Sequence, residues 1–546
     1  MLGDNAVPAA SLPTSNLAHL LLQTARRFPE RPAIIWRDHV WTWEQFAARV
    51  QVAAGALAAR GVQHGDRILL HARNSNAVLE TMFASWMLGA VWVPTNFRLT
   101  PPEVAYLAAS SGAAVHIFDT AFPDHAAAAK AENPACRLEI SIDADAVARR
   151  EATQQPRSAD SLARSSAPIQ WNALAAHDTP ITRAADVTRD HPAWFFYTSG
   201  TTGLPKAGVL THGQMEYVIC NHLCDLMPAT TEQDVSLVVA PLSHGAGIHA
   251  LPQVARGAAT ILLSGERLDC EEAWHLVERH RITNMFTVPT ILTMLTRHDA
   301  VDRYDHASLR YVVYAGSPMY RADQVHALEK LGRVIVQYFG MGEVTGNITV
   351  LPRELHDVDD ANMRVGTCGY PRTGMAVAIL DPEGGELPPN QTGEICVRGP
   401  GVFAGYHNNP DATAQATRFG WFHTGDLGHV DAQGFVYITG RSSDMYISGG
   451  SNVYPREIEE ALLSHPSVAE ACVVGMPDDR WGESGVAVLV AASGAMIDEA
   501  VLRVHLQGRL ARYKWPARFV VWPELPKSGY GKVRKREVRQ RLEEIE

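Results

Sequence analysis

The chain has 546 residues, 46% hydrophobic and 20% charged, the proportions of an ordinary globular protein long enough for more than one domain. They exclude a small disulfide scaffold, a coiled coil, a collagen-like repeat and extended disorder. With 48 Lys and Arg against 59 Asp and Glu the net charge is -11, the wrong sign for a surface that grips nucleic acid or anionic lipid.

The opening MLGDNAVPAASLPTSN has no basic residue ahead of an apolar run, so no secretory signal is expected and the cytoplasm is the expected location. From about residue 16 to 119, helical patterns alternate with short apolar strands such as Arg67 to Leu70 and Ala114 to Phe118, the signature of a parallel α/β sheet. The uncharged stretch Thr81 to Phe97 contains Gly89, Pro94 and Asn96; it is too short and too interrupted to span a bilayer and reads as buried helix and strand. Thr100-Pro-Pro-Glu103 marks a helix start, with a hydroxyl cap, proline in the first turn and glutamate at the capping-box position. Residues 148–170 turn polar and Ser-rich, as in a surface excursion.

The α/β alternation resumes past Asp190 and runs to about residue 380, after which Gly, Pro and β-branched residues become dense, as in GEICVRGPGVFAGY. That reads as a β-rich subdomain. From Tyr454 a smaller pattern follows: helix PREIEEALLSHP, strands EACVVGM and GVAVLVAA, helix DEAVLRVHLQGRLA and strand ARFVVW. This is a separate α+β domain. The seven cysteines (Cys136, Cys220, Cys224, Cys270, Cys368, Cys396 and Cys472) are odd in number, scattered and without a Cys-x-x-Cys pair. They suggest neither disulfides nor structural zinc, and fit a reducing compartment.

The strongest chemical signal is WFFYTSGTTGLPKAG, Trp194 to Gly208. An apolar strand runs into small and hydroxylated residues, then a turn, then Lys206. Glycines let backbone N–H groups approach an anion, hydroxyls donate to phosphate oxygens or ligate Mg²⁺, and the lysine adds positive charge. Pro205-Lys206 stands where a Walker A loop needs Gly-Lys-Ser/Thr, so this is a different phosphate loop.

With that loop come PLSHGAG (Pro241 to Gly247), AGSPM (Ala315 to Met319), QYFGMGE (Gln337 to Glu343), GEICVRGPGVFAGY, WFHTGD (Trp421 to Asp426), YITGRSSD (Tyr437 to Asp444), SGGSNVYPREIE (Ser448 to Glu459) and PKSGYGKV (Pro526 to Val533). In this order and spacing, the chain resembles the adenylate-forming enzymes: acyl-CoA synthetases, peptide-synthetase adenylation domains and firefly-type luciferases. The resemblance covers nearly the whole sequence. It implies an α/β fold in which residues 1–440 form a large N-terminal domain of parallel α/β subdomains plus the β-rich part. Residues 441–546 would form a small, mobile α+β C-terminal domain hinged near Ser443, which stands where many members of the family carry Lys or Asp.

The resemblance implies a two-step reaction of a carboxylic acid with ATP and then with CoA, with Mg²⁺ as cofactor. Charge stabilisation and alignment would carry it, without a protein nucleophile. By the same carry-over Thr198, Ser199, Gly200, Thr201, Thr202 and Lys206 hold the pyrophosphate portion of ATP. Gly316, Ser317, Pro318, Tyr338, Phe339, Gly340 and Met341 border adenine, and Glu343 ligates the metal. Asp426 accepts the ribose hydroxyls, Arg441 helps hold the nucleotide, and Lys532 reaches the α-phosphate; on charge pattern alone, Lys532 with Arg534, Lys535 and Arg536 would read as a solvated basic tail. Ser448, Gly449 and Gly450 form the CoA loop. Thr198, His244, Glu343 and Lys532 are the catalytic candidates; for His244, packing in the core is the lesser alternative.

The acyl pocket is expected around Tyr217, His244, Gly245, Gly247, Val288, Tyr314, Ala315, Met341 and Gly342. These are mostly apolar or small, which points to a monocarboxylic acid with an apolar body, a medium or long-chain fatty acid or an aryl-alkanoic acid. Gly342 replaces a threonine whose hydroxyl normally touches phosphate; Thr345, a water or a larger acyl group are the alternatives for the space. No aspartate lies between Pro241 and Pro252, where amino-acid-activating relatives bind the substrate amine. Relatives are monomers or homodimers. The competing functions are loading of a carrier protein and a degenerate nucleotide-binding regulator; joint retention of Lys206, Glu343, Asp426, Arg441 and Lys532 opposes the latter.

Overall fold

The computed structural model describes residues 13–143, 168–174, 179–198, 204–317, 319–449, 451–527 and 533–545. Most of the expected surface excursion at 148–170 therefore lies outside the described residues. The chain packs as two compact units: Met1–Tyr314 with Gly340–Asn347 and Gly399–Gln415, and Ala315–Phe339 with Ile348–Arg398 and Ala416–Glu546. These units record packing; the expected hinge at Ser443 concerns motion.

In the first unit one sheet runs in the order Lys206–Thr211, Pro192–Thr198, Val91–Pro94, Arg67–His71, Val115–Asp119, Leu138–Ile142, Ile169–Gln170. Every neighbouring pair is parallel except the first, which is an antiparallel hairpin. Parallel strands need crossovers, and helices supply them. Helix Asn76–Met87 is buried on all sides and leads into the buried strand Val91–Pro94, so the uncharged stretch is helix and strand as its composition suggests. Helix Pro101–Ser111 begins where the capping signal stands: the Glu103 carboxylate accepts the Thr100 N–H at 2.7 Å. It ends at Gly112, whose φ of 58° closes the turn without steric cost.

A second run of strands, Tyr311–Tyr314, Asn284–Thr287, Val235–Val238, Ala259–Leu262, Pro32–Trp36 and His39–Thr42, is parallel except for its last hairpin. Here too the apolar strands are buried almost throughout, as sheets covered on both faces require.

The second unit holds the β-rich part, an antiparallel sheet of Ala376–Leu380, Gly393–Arg398, Phe422–Val430 and Val436–Arg441. It also holds a mixed sheet built on the long hairpin Val468–Asp478 and Gly482–Ala491, with Arg518–Val521 added in parallel. Side chains alternate across that hairpin. Val473, Ala487 and Leu489 meet Ile458, Leu462, Leu502 and Leu506 of helices Pro455–Leu463 and Glu499–Leu506. Val474, Val486 and Val488 meet Val538 and Leu542 of helix Lys535–Glu543. The helix expected over DEAVLRVHLQGRLA stops at Leu506, because Gly508 with φ 79° turns the chain away. Among the described residues no helix is long and apolar enough to cross a membrane, and all seven cysteines are free.

Candidate active site

In the first unit the phosphate-loop candidate begins and ends on one hairpin. Strand register pairs Thr198 directly with Lys206, so hydroxyl and ammonium enter from neighbouring strands. Ser199, Gly200, Thr201 and Thr202 lie outside the described residues. The Thr198 hydroxyl donates to Oε1 of Glu343 at 2.7 Å, and the Tyr406 phenol donates to the same oxygen at 3.0 Å. Glu343 itself is only 6% exposed. Burial and the adjacent Glu343 carboxylate push the Tyr406 phenol well above its ordinary range, which keeps it a donor.

The chain around Tyr406 is laid along strand Lys206–Thr211. Ala404 N–H donates to Val209 O, Val209 N–H to Gly405 O, and His407 N–H to Ala207 O, at 2.9 to 3.0 Å. Phe403 N–H donates to the backbone carbonyl of Glu343 at 2.7 Å. Lys206 Nζ stands 5.4 Å from the centre of the Tyr406 ring, within cation–π range.

Gly342 leaves no void. A Cβ there would lie 2.6 Å from Phe196 Cδ1 and 2.7 Å from Thr198 Cγ2, so the Phe196 ring and the Thr198 methyl fill the volume of the missing side chain. Thr345 does not replace the lost hydroxyl, since its Oγ1 donates to Val344 O at 2.6 Å in a buried turn. Gly340 is required by contact, because its Cβ would stand 2.3 Å from Gly346 Cα. Met341, half-buried, caps the short turn Gly342–Val344.

His244 is half-buried at the start of helix Gly245–Arg256, edge-on to Phe196 at 4.9 Å between ring centres, with Nδ1 3.1 Å from Ser243 Oγ. The two glycines after it are packing glycines. A Cβ on Gly245 would strike the Phe286 ring at 2.4 Å, and one on Gly247 the Leu242 carbonyl at 2.0 Å. Phe286, which the sequence does not single out, thus sits against Gly245. Of the other acyl candidates, Tyr217 is half-buried and accepts from Asn221 Nδ2 at 3.4 Å, Val288 precedes helix Pro289–Arg297, and Tyr314 is fully buried at a strand end. Ala315 belongs to the second unit.

In the second unit Gly316 turns the chain with φ 90° and Ser317 follows; Pro318 lies outside the described residues. Tyr338 and Phe339 are neighbours on strand Ile335–Phe339 and point to opposite faces. Tyr338 is buried beside Arg372, while Phe339 packs on the cluster of Cys368, Ile379, Ile395 and Val436. The two rings that the resemblance sets beside adenine thus lie on opposite faces of one strand.

Asp426 and Arg441 are register partners, joined by Arg441 Nε to Asp426 Oδ1 at 3.1 Å. The turn before Asp426 is tightly held. Thr424 Oγ1 donates to Ile395 O at 2.7 Å and accepts Asp426 N–H at 3.0 Å, while Gly425 N–H, at a φ of 74° suited to glycine, donates to Glu394 Oε1 at 3.1 Å. Glu394 Oε2 takes Arg418 at 2.7 Å and His423 Nδ1 at 2.8 Å. The donor atoms of Glu394, Cys396 and His423 lie within 4.8 Å of one another, as a metal site requires, but the Arg418 guanidinium and the Gly425 N–H already occupy the carboxylate.

Ser443 sits in an exposed turn, donating to Asp444 Oδ1 at 3.2 Å. Ser448 and Gly449 lie at a hairpin tip. Gly449 has φ 56°, its N–H donates to Trp481 O at 2.8 Å, and the half-exposed Trp481 ring covers its Cα. Gly450 and Lys532 lie outside the described residues. Lys535 beside it is not part of a solvated tail: its Nζ donates to Glu459 Oε1 at 2.7 Å.

A family model described as AMP-binding enzyme matches residues 21–407, and one described as AMP-binding enzyme C-terminal domain matches 457–532. A feruloyl-CoA synthase of Amycolatopsis is 36% identical over 95% of this chain and 98% of its own. A fatty acid–[acyl-carrier-protein] ligase of Streptomyces coeruleorubidus is 34% identical over 95% of both chains. The solved structure of an o-succinylbenzoate CoA synthetase from Bacillus subtilis, in complex with its acyl-adenylate intermediate, is 30% identical, with a TM-score of 0.80 over 97% of this chain and 98% of that one. These matches make the chain an acid–thiol ligase of the AMP-forming class. The chain belongs to the AMP-binding enzyme family.

Proposed function

We propose that the chain couples a monocarboxylic acid with an apolar body, a medium or long-chain fatty acid or an aryl-alkanoic acid, to CoA through an acyl adenylate. The observation that carries the nucleotide half of this reading is the Thr198–Glu343 hydrogen bond beside the register-paired Lys206. The acid carboxylate attacks the α-phosphorus of ATP and pyrophosphate leaves; the CoA thiol then attacks the acyl carbon and AMP leaves. Lys206 and the loop of Thr198, Ser199, Gly200, Thr201 and Thr202 stabilise the charge on the departing pyrophosphate. A buried carboxylate held at one oxygen suits Mg²⁺, a hard cation that prefers oxygen ligands, and Glu343 would hold it. Bound there, the ion would screen phosphate charge.

In this reading Gly316, Ser317 and one face of Phe339 border adenine, while the Glu394-clamped turn presents Asp426 to the ribose beside Arg441. Lys532 serves adenylation, and the loop of Ser448, Gly449 and Gly450, with Trp481, serves the thiol step. Residues 441–546 turn about Ser443 between the two steps. His244, oriented by Phe196, aligns the acid carboxylate, and the body of the acid lies among Tyr217, Val288, Phe286 and Met341. Unpaired cysteines suit a reducing cytoplasm. A second reading, acyl transfer to a carrier protein, is favoured by the Streptomyces coeruleorubidus relative.

The acid class is tested by initial rates of CoA-thioester formation across hexanoate, octanoate, cinnamate, ferulate and matched dicarboxylates. Monocarboxylates should lead; dicarboxylates outrunning them would overturn the assignment.

A further inference from the structure

We infer that Tyr406 is a positioning residue that sets the Glu343 carboxylate for its cation and couples it to Lys206, an inference that rests on Glu343 being the magnesium ligand. A carboxylate at the end of a glutamate side chain rotates easily, because its last torsion is broad and roughly two-fold. Here two hydroxyls from separate segments, Thr198 and Tyr406, converge on Oε1 at 2.7 and 3.0 Å. That fixes the rotation and leaves Oε2 without a hydrogen-bond partner among the described residues. The saturated oxygen orients the other one for a metal ion, much as partners of ligating carboxylates do at metal sites.

Tyr406 is itself well held. Phe403 packs edge-on against its ring at 4.8 Å, the backbone of residues 404–407 is bonded to strand Lys206–Thr211, and Phe403 N–H grips the backbone carbonyl of the same Glu343. One short segment thus holds Glu343 at both its main chain and its carboxylate. The Tyr406 ring faces Lys206 Nζ, so the phosphate-side cation and the metal-side anion share one aromatic residue. Thr198 alone would leave the carboxylate free to swing about a single hydrogen bond.

Tyr406→Phe separates this role from a structural one, since phenylalanine keeps the ring, its packing and its face toward Lys206 and removes only the bond to Glu343. The measurement is Mn²⁺ binding by electron paramagnetic resonance on the full chain with a non-hydrolysable ATP analogue, with thermal unfolding alongside. We expect the Mn²⁺ dissociation constant to rise about tenfold, the low end for loss of a hydrogen bond to a charged group, while the unfolding midpoint stays within a few degrees. Glu343→Gln is measured in parallel. Weakened Mn²⁺ binding in Glu343→Gln with wild-type binding in Tyr406→Phe would overturn the role of Tyr406 alone. Unchanged binding in Glu343→Gln would overturn the magnesium assignment beneath it.

Discussion

The Thr198 hydroxyl donates to Glu343 Oε1 at 2.7 Å across 145 residues of sequence, joining the end of the phosphate-loop strand to the expected metal ligand. A hydrogen bond to a buried carboxylate is worth about 1.5 to 3 kcal/mol. Thr198→Val should therefore lower the rate of acid-dependent pyrophosphate release by about tenfold or more, measured at saturating ATP. Thr198→Ser, which keeps the hydroxyl and removes the methyl against Gly342, should lose under threefold. A loss in Thr198→Ser with wild-type rates in Thr198→Val would mean that the methyl, not the hydroxyl, matters.

Phe196 and Gly342 form a complementary pair in which the ring occupies the volume of the absent side chain. Gly342→Thr, which supplies the residue the resemblance leads one to expect there, should destabilise this protein by about 1 to 3 kcal/mol through overpacking. Adding Phe196→Leu should recover part of that loss, since contacting residues couple by about 0.5 to 3 kcal/mol. Strict additivity in denaturant unfolding would show that the two residues do not share the space.

Glu80 is a buried carboxylate with a complete set of donors: Arg49 Nε at 2.6 Å, Arg49 Nη2 at 3.1 Å, Trp171 Nε1 at 2.7 Å and Asn76 Nδ2 at 2.7 Å. Burial alone would push its carboxyl up, but Arg49 and the other donors outweigh burial and hold it below the ordinary range. Arg49→Met strands the charge and should cost about 3 to 5 kcal/mol. Pairing it with Glu80→Gln should restore a substantial share. A cost under 1 kcal/mol for Arg49→Met in urea unfolding would contradict this account of the pair.

Five buried histidines set the acid limit of the fold. Burial is the leading cause that lowers His71 and His212 to about 3 and His116, His249 and His356 to about 4. All five are neutral in the folded chain, whereas in the unfolded chain they take up protons near pH 6.5. Their contribution to stability is complete above pH 6.5 and is lost progressively as pH falls toward 4, at about 1.4 kcal/mol per pH unit for each. The thermal midpoint should therefore drop steeply between pH 6.5 and 5. A flat midpoint over that interval would contradict the neutral burial of these rings.

Much of the first unit is legible in the sequence because its signals are local. Thr100 and Glu103 announce a helix start within four residues, and the apolar strands flanked by helices announce a parallel sheet. The strand at Lys206 is different: its antiparallel pairing depends on the loop from Thr198, and composition does not reveal the direction of return. Phe195 and Phe196 look alike in WFFYT, yet one packs in the sheet core and the other against Gly342 and His244. Glu394 and Tyr406 stand within GEICVRGPGVFAGY, yet their roles, like that of Trp481, escape a reading of motifs for the same reason. Each acts through a contact with a residue 63, 31 or 32 positions away, respectively Glu343, Gly425 and Gly449, and only the fold brings those pairs together. The motif names Tyr338 and Phe339 together but not the faces they take, which strand geometry alternates.

The most direct test of the account is pyrophosphate release from Mg²⁺ and ATP with cinnamate or octanoate, run with and without CoA and followed by mass detection of the product. Acid-dependent pyrophosphate is expected and, with CoA present, a CoA thioester in place of accumulated acyl-AMP. Acyl-AMP that persists unchanged in the presence of CoA would contradict it and assign the chain to carrier-protein loading.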